Sequence, residues 1–177
     1  MTTNYLLHEQ LDKILMLLMP ANRLVCEVQL HTGLRISDVL NLRSDEFKQR
    51  MTIIEQKTGK KRKISLKKEL FQRIDKQKGR YWVFEGRDWR KHRCRQAVWR
   101  DVKRASKACR MPENAGTHSM RKVYAVDLMA RYGDIERVRR ALNHDRTTTT
   151  LLYAMADKLL QQNPRAHGRR AAKDVVR

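Results

Sequence analysis

Cysteine is scarce in this chain. Cys26, Cys94 and Cys109 form no even set and no CxxC pair. That excludes a disulfide framework and fits a reducing compartment. Long apolar runs are also missing. The longest, Ile14-Leu15-Met16-Leu17-Leu18-Met19-Pro20, falls far short of the ~20 residues of a membrane-spanning helix. The N-terminus lacks the basic n-region of a signal peptide. A soluble, cytoplasmic protein with no membrane partner is expected. Acidic residues are few beside basic ones: 19 Asp and Glu against 40 Lys and Arg, a formal net charge of +21 over 177 residues. An acidic or neutral surface is thereby excluded. A hydrophobic content of 41% excludes a disordered basic tail, which lacks the apolar residues to fold. A folded basic domain meets a polyanion, with nucleic acid the leading candidate. On composition alone, a ribosomal or chromatin-like neutraliser without chemistry fits equally well.

Several chemical signatures are absent. The histidines are His8, His31, His92, His118, His144 and His167, and no HxxxH or CxxC spacing joins them. His92-Arg93-Cys94 is flanked by Lys91 and Arg95, which repel a cation, so no metal is expected. There is no GxSxG elbow. Gly59-Lys60-Lys61 does not match the phosphate-cradling GxxxxGK[ST] pattern. No cofactor is expected. No internal repeat and no linker divides the chain.

Helical spacing is present over residues 4–19, through Leu7, Leu11, Ile14, Leu15 and Leu18. Pro20 ends that helix or opens the next, over 21–31, which Gly33 breaks. A third short helix is predicted over 36–42. Residues 51–56 are β-branched and read as a strand. Lys57-Thr58-Gly59-Lys60 is a turn, and 61–66 returns as a second strand. A helix over 67–77 precedes Tyr81-Trp82-Val83-Phe84, which reads as a third strand. A basic helix is expected over 88–109, with ten Lys/Arg and two Asp from Gly86 to Arg110 inclusive. Trp89 and Trp99 within it are expected to pack against the domain. Helices are predicted from His118 to about Arg131 and over 134–142, with a last one around Leu151, Leu152, Tyr153 and Met155. The expected fold is α+β, mainly α-helical with a small antiparallel three-stranded sheet. It spans one domain over 1–163, followed by a basic, flexible tail over 164–177.

Four segments bear on chemistry: Thr32-Gly33-Leu34-Arg35-Ile36-Ser37-Asp38, Gln56-Lys57-Thr58-Gly59-Lys60, His118-Ser119-Met120-Arg121, and Leu142-Asn143-His144 followed by Tyr153. Each alone has a bland reading. Arg35 can be a salt-bridge partner of Asp38, Lys57 a solvated turn lysine, His118 a helix-start histidine, and Tyr153 a packed aromatic. In this order and with this internal spacing they resemble the tyrosine recombinase (phage integrase) family, over about residues 5–160. The resemblance matches Arg35 to the first catalytic arginine and Asp38 to the acidic residue three positions on. It matches Lys57 to the hairpin lysine, His118 and Arg121 to the HxxR pair, His144 to the second histidine, and Tyr153 to the nucleophile. Two positions depart from the pattern. Asn143 stands where the family commonly has Gly, and asparagine tolerates a left-handed backbone better than most residues. Lys122 stands where many members have His.

The chemistry of these groups agrees. In-line attack on a phosphodiester builds negative charge, which the forked donors of Arg35 and Arg121 suit. A tyrosine hydroxyl needs help at neutral pH. His118 can take its proton, Lys57 can protonate the leaving 5′ oxygen, and His144 can bond the phosphate. Asp38 is expected to orient Arg35 or His118. His118 and Arg121, three apart, share a helix face. His144 and Tyr153, nine apart, would point oppositely on one unbroken helix, so a break is expected between them.

What the resemblance implies is cleavage and rejoining of double-stranded DNA through a covalent 3′-phosphotyrosine, without ATP or metal. It also implies a homotetramer on DNA, in a bacterial or phage-encoded protein associated with the nucleoid. The rival readings are a catalytically idle or regulatory DNA-binding relative, topoisomerase IB-like relaxation, and a generic RNA-associated basic protein. Most family members carry an N-terminal DNA-binding domain, whereas here the catalytic pattern begins almost at Met1. A minimal member or a fragment is expected, with weaker and less selective DNA binding than a two-domain relative. The expected DNA contacts lie in the strand region 57–68 and on the basic helix over 88–109: Lys60, Lys61, Arg62, Arg90, Lys91, Arg93, Arg95 and Arg100.

Overall fold

In the computed structural model, which describes residues 4–143, the N-terminal periodicity is realised as two helices. They are α1 (His8–Leu17) and α2 (Pro20–Thr32). Pro20 occupies the first helical position, where its missing N–H is no loss. Leu6, Leu11, Ile14, Leu24, Val25 and Val28 are all buried. Burying each such side chain contributes roughly 1.5–3 kcal/mol. Gly33 ends α2 in the left-handed region at φ 67°, and its N–H donates to the Gln29 carbonyl at 2.7 Å. A Cβ there would lie 2.3 Å from the Tyr124 ring, so both backbone and space demand glycine.

Helix α3 (Ile36–Leu40) follows, then an antiparallel hairpin of β1 (Arg50–Ile54) and β2 (Lys61–Ser65). Arg50 pairs with Ser65 and Ile54 with Lys61. Gly59 closes the turn at φ 65°. Helix α4 (Lys68–Asp75) comes next, then α5 (Arg95–Ala108), α6 (Thr117–Tyr132) and α7 (Ile135–Leu142). On α5, Val98, Val102 and Ala105 form the buried stripe. Asp101 fastens that helix to the start of α2. Its Oδ2 accepts from the Met19 N–H at 2.9 Å and from Asn22 Nδ2 at 2.7 Å.

Two compact units arise, one ending at Tyr124 and the other beginning at Ala125. In the second, the Asp134 side chain caps α7 by accepting from the Arg137 N–H at 3.1 Å. Asn143 closes α7 at φ 49°, ψ 43°. The left-handed turn expected of a residue standing in for glycine is therefore present. No helix among the described residues is long and apolar enough to cross a membrane.

The mainly helical architecture with a small antiparallel sheet is as expected, but the sheet among the described residues has two strands, not three. Tyr81-Trp82-Val83-Phe84 makes only isolated bridges, Arg43 with Trp82 and, just beyond, Glu85 with His92. The Glu85 carboxylate accepts the Tyr81 N–H at 3.0 Å, and the Gly79 N–H donates to the Trp82 carbonyl. The segment is thus folded into a turn while Val83 and Phe84 enter the core. Four consecutive apolar residues do not distinguish a strand from such a buried turn. The basic helix also starts later than expected, at Arg95. Upstream, Asp88 Oδ1 accepts the Arg90 N–H at 3.0 Å, a local side-chain bond that competes with helix formation. Trp89 and Trp99 do not pack into the domain: they are half-exposed. Trp89 stacks on Tyr81, and Lys103 lies over the Trp99 ring.

Candidate active site

Three segments distant in sequence converge in the first unit. The loop after α2 places Arg35 at the N-cap of α3, its backbone extended at φ −69°, ψ 151°. The β1–β2 turn brings Glu55 beneath it. Helix α6 brings His118 and Arg121, and its start is fixed by Ser119, whose hydroxyl donates to the Asn4 carbonyl at 2.7 Å.

The ionic centre of this cluster is Glu55, whose side chain is fully buried. Its Oε2 accepts from Arg35 Nη1 at 2.7 Å and from Thr58 Oγ1 at 3.1 Å. Its Oε1 accepts from Arg62 Nη1 at 3.3 Å. Arg62 also donates to the Thr32 carbonyl, and Arg121 Nη1 donates to the Gly33 carbonyl. Backbone carbonyls at the end of α2 and one carboxylate therefore hold three guanidiniums in one neighbourhood.

The electrostatics bear the mark of that crowding. Arg121 is almost wholly buried, and its pKa is pushed down to about 10. Burial is the main cause, the charges of Arg35 and Arg62 add to it, and Glu55 and Asp38 oppose it. It still carries its proton at neutral pH. The His118 pKa is held below the usual imidazole value, first by the protein packed around the ring, then by Arg121, Arg95, Lys122 and Arg35. That favours the neutral imidazole, the form with a free nitrogen able to accept a proton, while the neighbouring cations weaken it as a base. Burial also lowers the Lys122 pKa.

The expected residues fall into distinct places. Arg35, His118 and Arg121 come together. Lys57 lies exposed on the hairpin turn two residues beyond Glu55. His144 and Tyr153 lie outside the described residues. Asp38 is buried, and its backbone N–H donates to the Arg35 carbonyl at 3.0 Å, but its carboxylate bonds neither the Arg35 nor the His118 side chain. Its Oδ1 accepts the Gln56 N–H at 3.0 Å, so it pins the hairpin to α3. Its Oδ2 has no hydrogen-bond partner among the described residues.

Among the expected DNA contacts, Lys60, Lys61, Arg90, Lys91, Arg95 and Arg100 are exposed. Arg90 and Lys91 sit in the loop before α5, not on a helix. Arg62 and Arg93 turn inward. Arg62 joins Glu55, and Arg93 Nη1 donates to Asn22 Oδ1 at 3.2 Å. Strand alternation carries the signal for the first of these. Arg62 has the parity of Ile64 and Leu66, and Glu55 that of Met51 and Ile53, so both belong to the covered face. Glu55 was not among the expected site residues.

Two arginines and a histidine from distant segments thus share one neighbourhood, with a lysine on the adjacent hairpin turn, and such a cluster of cations suits an anion. The phage integrase family matches residues 4–159, and the chain belongs to it. It is 33% identical over 135 residues to the probable integrase/recombinase YoeC of Bacillus subtilis, covering 73% of this chain and 74% of that protein. It is 28% identical over 154 residues to the integrase of Escherichia phage P2, covering 86% of this chain and 43% of that one. Among solved structures, XerH recombinase bound to palindromic difH substrate shares the fold. The TM-score is 0.71 at 20% identity, over 92% of this chain and 52% of that chain. The chain thus spans about half the length of XerH and less of the phage P2 integrase.

Proposed function

We propose that this protein is a site-specific recombinase that cleaves and rejoins double-stranded DNA through a covalent 3′-phosphotyrosine. Arg35 and Arg121 grip the non-bridging oxygens of the scissile phosphate and stabilise the charge that grows on them. The Tyr153 hydroxyl attacks phosphorus and its proton passes to His118. The P–O5′ bond breaks, and Lys57 delivers a proton to the departing oxygen. His144 adds a hydrogen bond to the phosphate. The tyrosyl ester retains the energy of the broken bond, so the reverse attack by a 5′ hydroxyl rejoins a strand. The catalytic domain spans 1–163 and the basic segment 164–177 follows it.

The observation that carries this reading is the convergence of Arg35, His118 and Arg121 from distant segments, with His118 disposed to be neutral. Family membership supports it. So do two solved structures of similar fold, XerH in a post-cleavage complex with palindromic difH substrate and a lambda integrase tetramer bound to a Holliday junction. By analogy the active assembly here is a homotetramer on two DNA sites, working in the cytoplasm at the nucleoid.

The test is a set of nicked suicide duplexes drawn from the DNA flanking the gene. A covalent protein–DNA adduct that survives denaturation and disappears in Tyr153→Phe is the expected result. Relaxation of supercoiled plasmid without recombinant product would favour a topoisomerase-like activity. Tight binding without an adduct on any duplex would leave a DNA-binding relative and overturn the proposal.

A further inference from the structure

We propose that Glu55 is a positioning residue, one buried carboxylate that sets Arg35 and the Lys57 hairpin relative to each other. The inference rests on the recombinase reading above and adds to it a residue outside its catalytic set.

The geometry is specific. Glu55 takes only the Nη1 edge of Arg35, at 2.7 Å. The Nε and Nη2 donors have no partner among the described residues, so a forked pair stays available for an oxyanion. The same carboxylate holds Thr58 at 3.1 Å, one residue past Lys57, and Arg62 at 3.3 Å on the returning strand. Two further bonds close the base of the hairpin around it. The Gly59 N–H donates to the Glu55 carbonyl at 2.8 Å, and the Glu55 N–H donates to the Lys60 carbonyl at 3.1 Å. Next to it the Gln56 N–H is held by Asp38 on α3. The hairpin base is therefore tethered to the helix that carries Arg35, while the tip bearing Lys57 projects into solvent.

Charge explains why the group is a carboxylate. Three guanidiniums in one neighbourhood repel one another, and the Glu55 carboxylate bonded to two of them offsets that repulsion while leaving the Nε and Nη2 donors of Arg35 untaken. Being buried, Glu55 does not touch the reacting phosphate. It acts through Arg35, and through the loop, on Lys57.

The test uses the full-length protein. Glu55→Gln keeps shape and one acceptor but removes the charge, and Glu55→Asp keeps the charge at a shorter reach. Single-turnover adduct formation at saturating nicked duplex is expected to fall on the order of 10²-fold in Glu55→Gln, the scale for displacing a catalytic group by about an ångström. Duplex affinity should stay within about threefold. Glu55→Asp should recover part of the rate. Added to Arg35→Ala, the Glu55→Gln change should cost less than about threefold more, because residues acting through one another are not additive. A full rate in Glu55→Gln, or independent additive losses with Arg35→Ala, overturns the proposal. A second readout needs no activity. The Arg35 side-chain N–H signal should be ordered and protected in nitrogen NMR of the DNA-free wild type, and averaged in Glu55→Gln. Unchanged order in Glu55→Gln overturns the proposal even if both proteins are folded. If the wild type forms no adduct at all, the recombinase reading is what has failed, and the NMR comparison decides the role of Glu55 by itself.

Discussion

Arg35, Arg62 and Arg121 carry the same head group as Arg90, Arg95 and Arg100, yet the two sets are different physical objects. The inner side chains are fixed by Glu55 and by the carbonyls of Thr32 and Gly33. The side chain of Arg62 is 12% exposed, whereas that of Arg90 is 72% exposed. An inner guanidinium has lost most of its water before any ligand arrives, so it meets an anion at low dielectric and in a set direction. An outer one keeps its hydration and its rotamers and offers mainly salt-screened attraction. Among the described residues most lysines and arginines are of the outer, exposed kind, and the chain's net charge is +21. It speaks for a polyanionic partner and not for catalysis.

The largest expected break in that contrast comes from Gly33→Ala. The new methyl would need a left-handed backbone and would strike the Tyr124 ring at 2.3 Å. Strain and overpacking together should destabilise the protein by about 2–4 kcal/mol. The Gly33 carbonyl is also the acceptor that holds Arg121, so the inner set should be disturbed while the outer one is untouched. Urea melts and adduct assays on Gly33→Ala beside an outer-surface variant would show this. Equal stability of Gly33→Ala and the wild type would contradict the account of the loop.

His118 stands between the two sets, exposed yet influenced by Arg121 and Lys122 on α6, Arg95 on α5 and Arg35 before α3. Its pKa is lower folded than unfolded. On acidification the unfolded chain takes up this proton first, at the ordinary value near 6.5. Stability should therefore decline as pH falls from about 7 through that value, and stop declining on this account below the folded pKa. His118→Gln removes the effect. The difference in urea midpoint between the two proteins, followed from pH 8 to 5, should shrink or reverse in favour of His118→Gln toward the acid end. A difference independent of pH would mean that the surrounding cations do not act on this ring.

How much of this could be read from the chain depends on how local each signal is. Arg35, His118 and Arg121 sit in short contiguous strings, and the glycine that ends α2 sits beside the first of them, so sequence suffices. Asn143 was legible because backbone handedness is a property of one residue and its neighbours. Glu55 and Arg62 were not legible from residue type: a glutamate after a β-branched run and an arginine among lysines both resemble solvated charge. Only the strand parity shared with Met51, Ile53, Ile64 and Leu66 hints that they turn inward. The carboxylate contact of Asp38 is hidden from the sequence for a related reason. Its bond to the Gln56 N–H is tertiary and leaves no trace in the local string. The run at Tyr81 reads as a strand because burial alone, without pairing, produces the same four apolar letters.

The smallest expected effect concerns the outer set, and it tells a contact from a bystander. Arg100 is exposed on α5, and no ion pair holds it among the described residues. Arg100→Ala should change stability by no more than about 0.5 kcal/mol. If Arg100 meets a DNA phosphate, its loss should flatten the plot of log affinity against log salt by about 0.9, one released counterion. The loss should be the same for every duplex, because a phosphate contact carries no sequence information. Anisotropy titrations of two unrelated duplexes over a salt series read both quantities. An unchanged slope would make Arg100 a solvated charge. A loss confined to one duplex would make it a base contact, and the division between inner chemistry and outer, sequence-blind attraction would then have to be redrawn at α5.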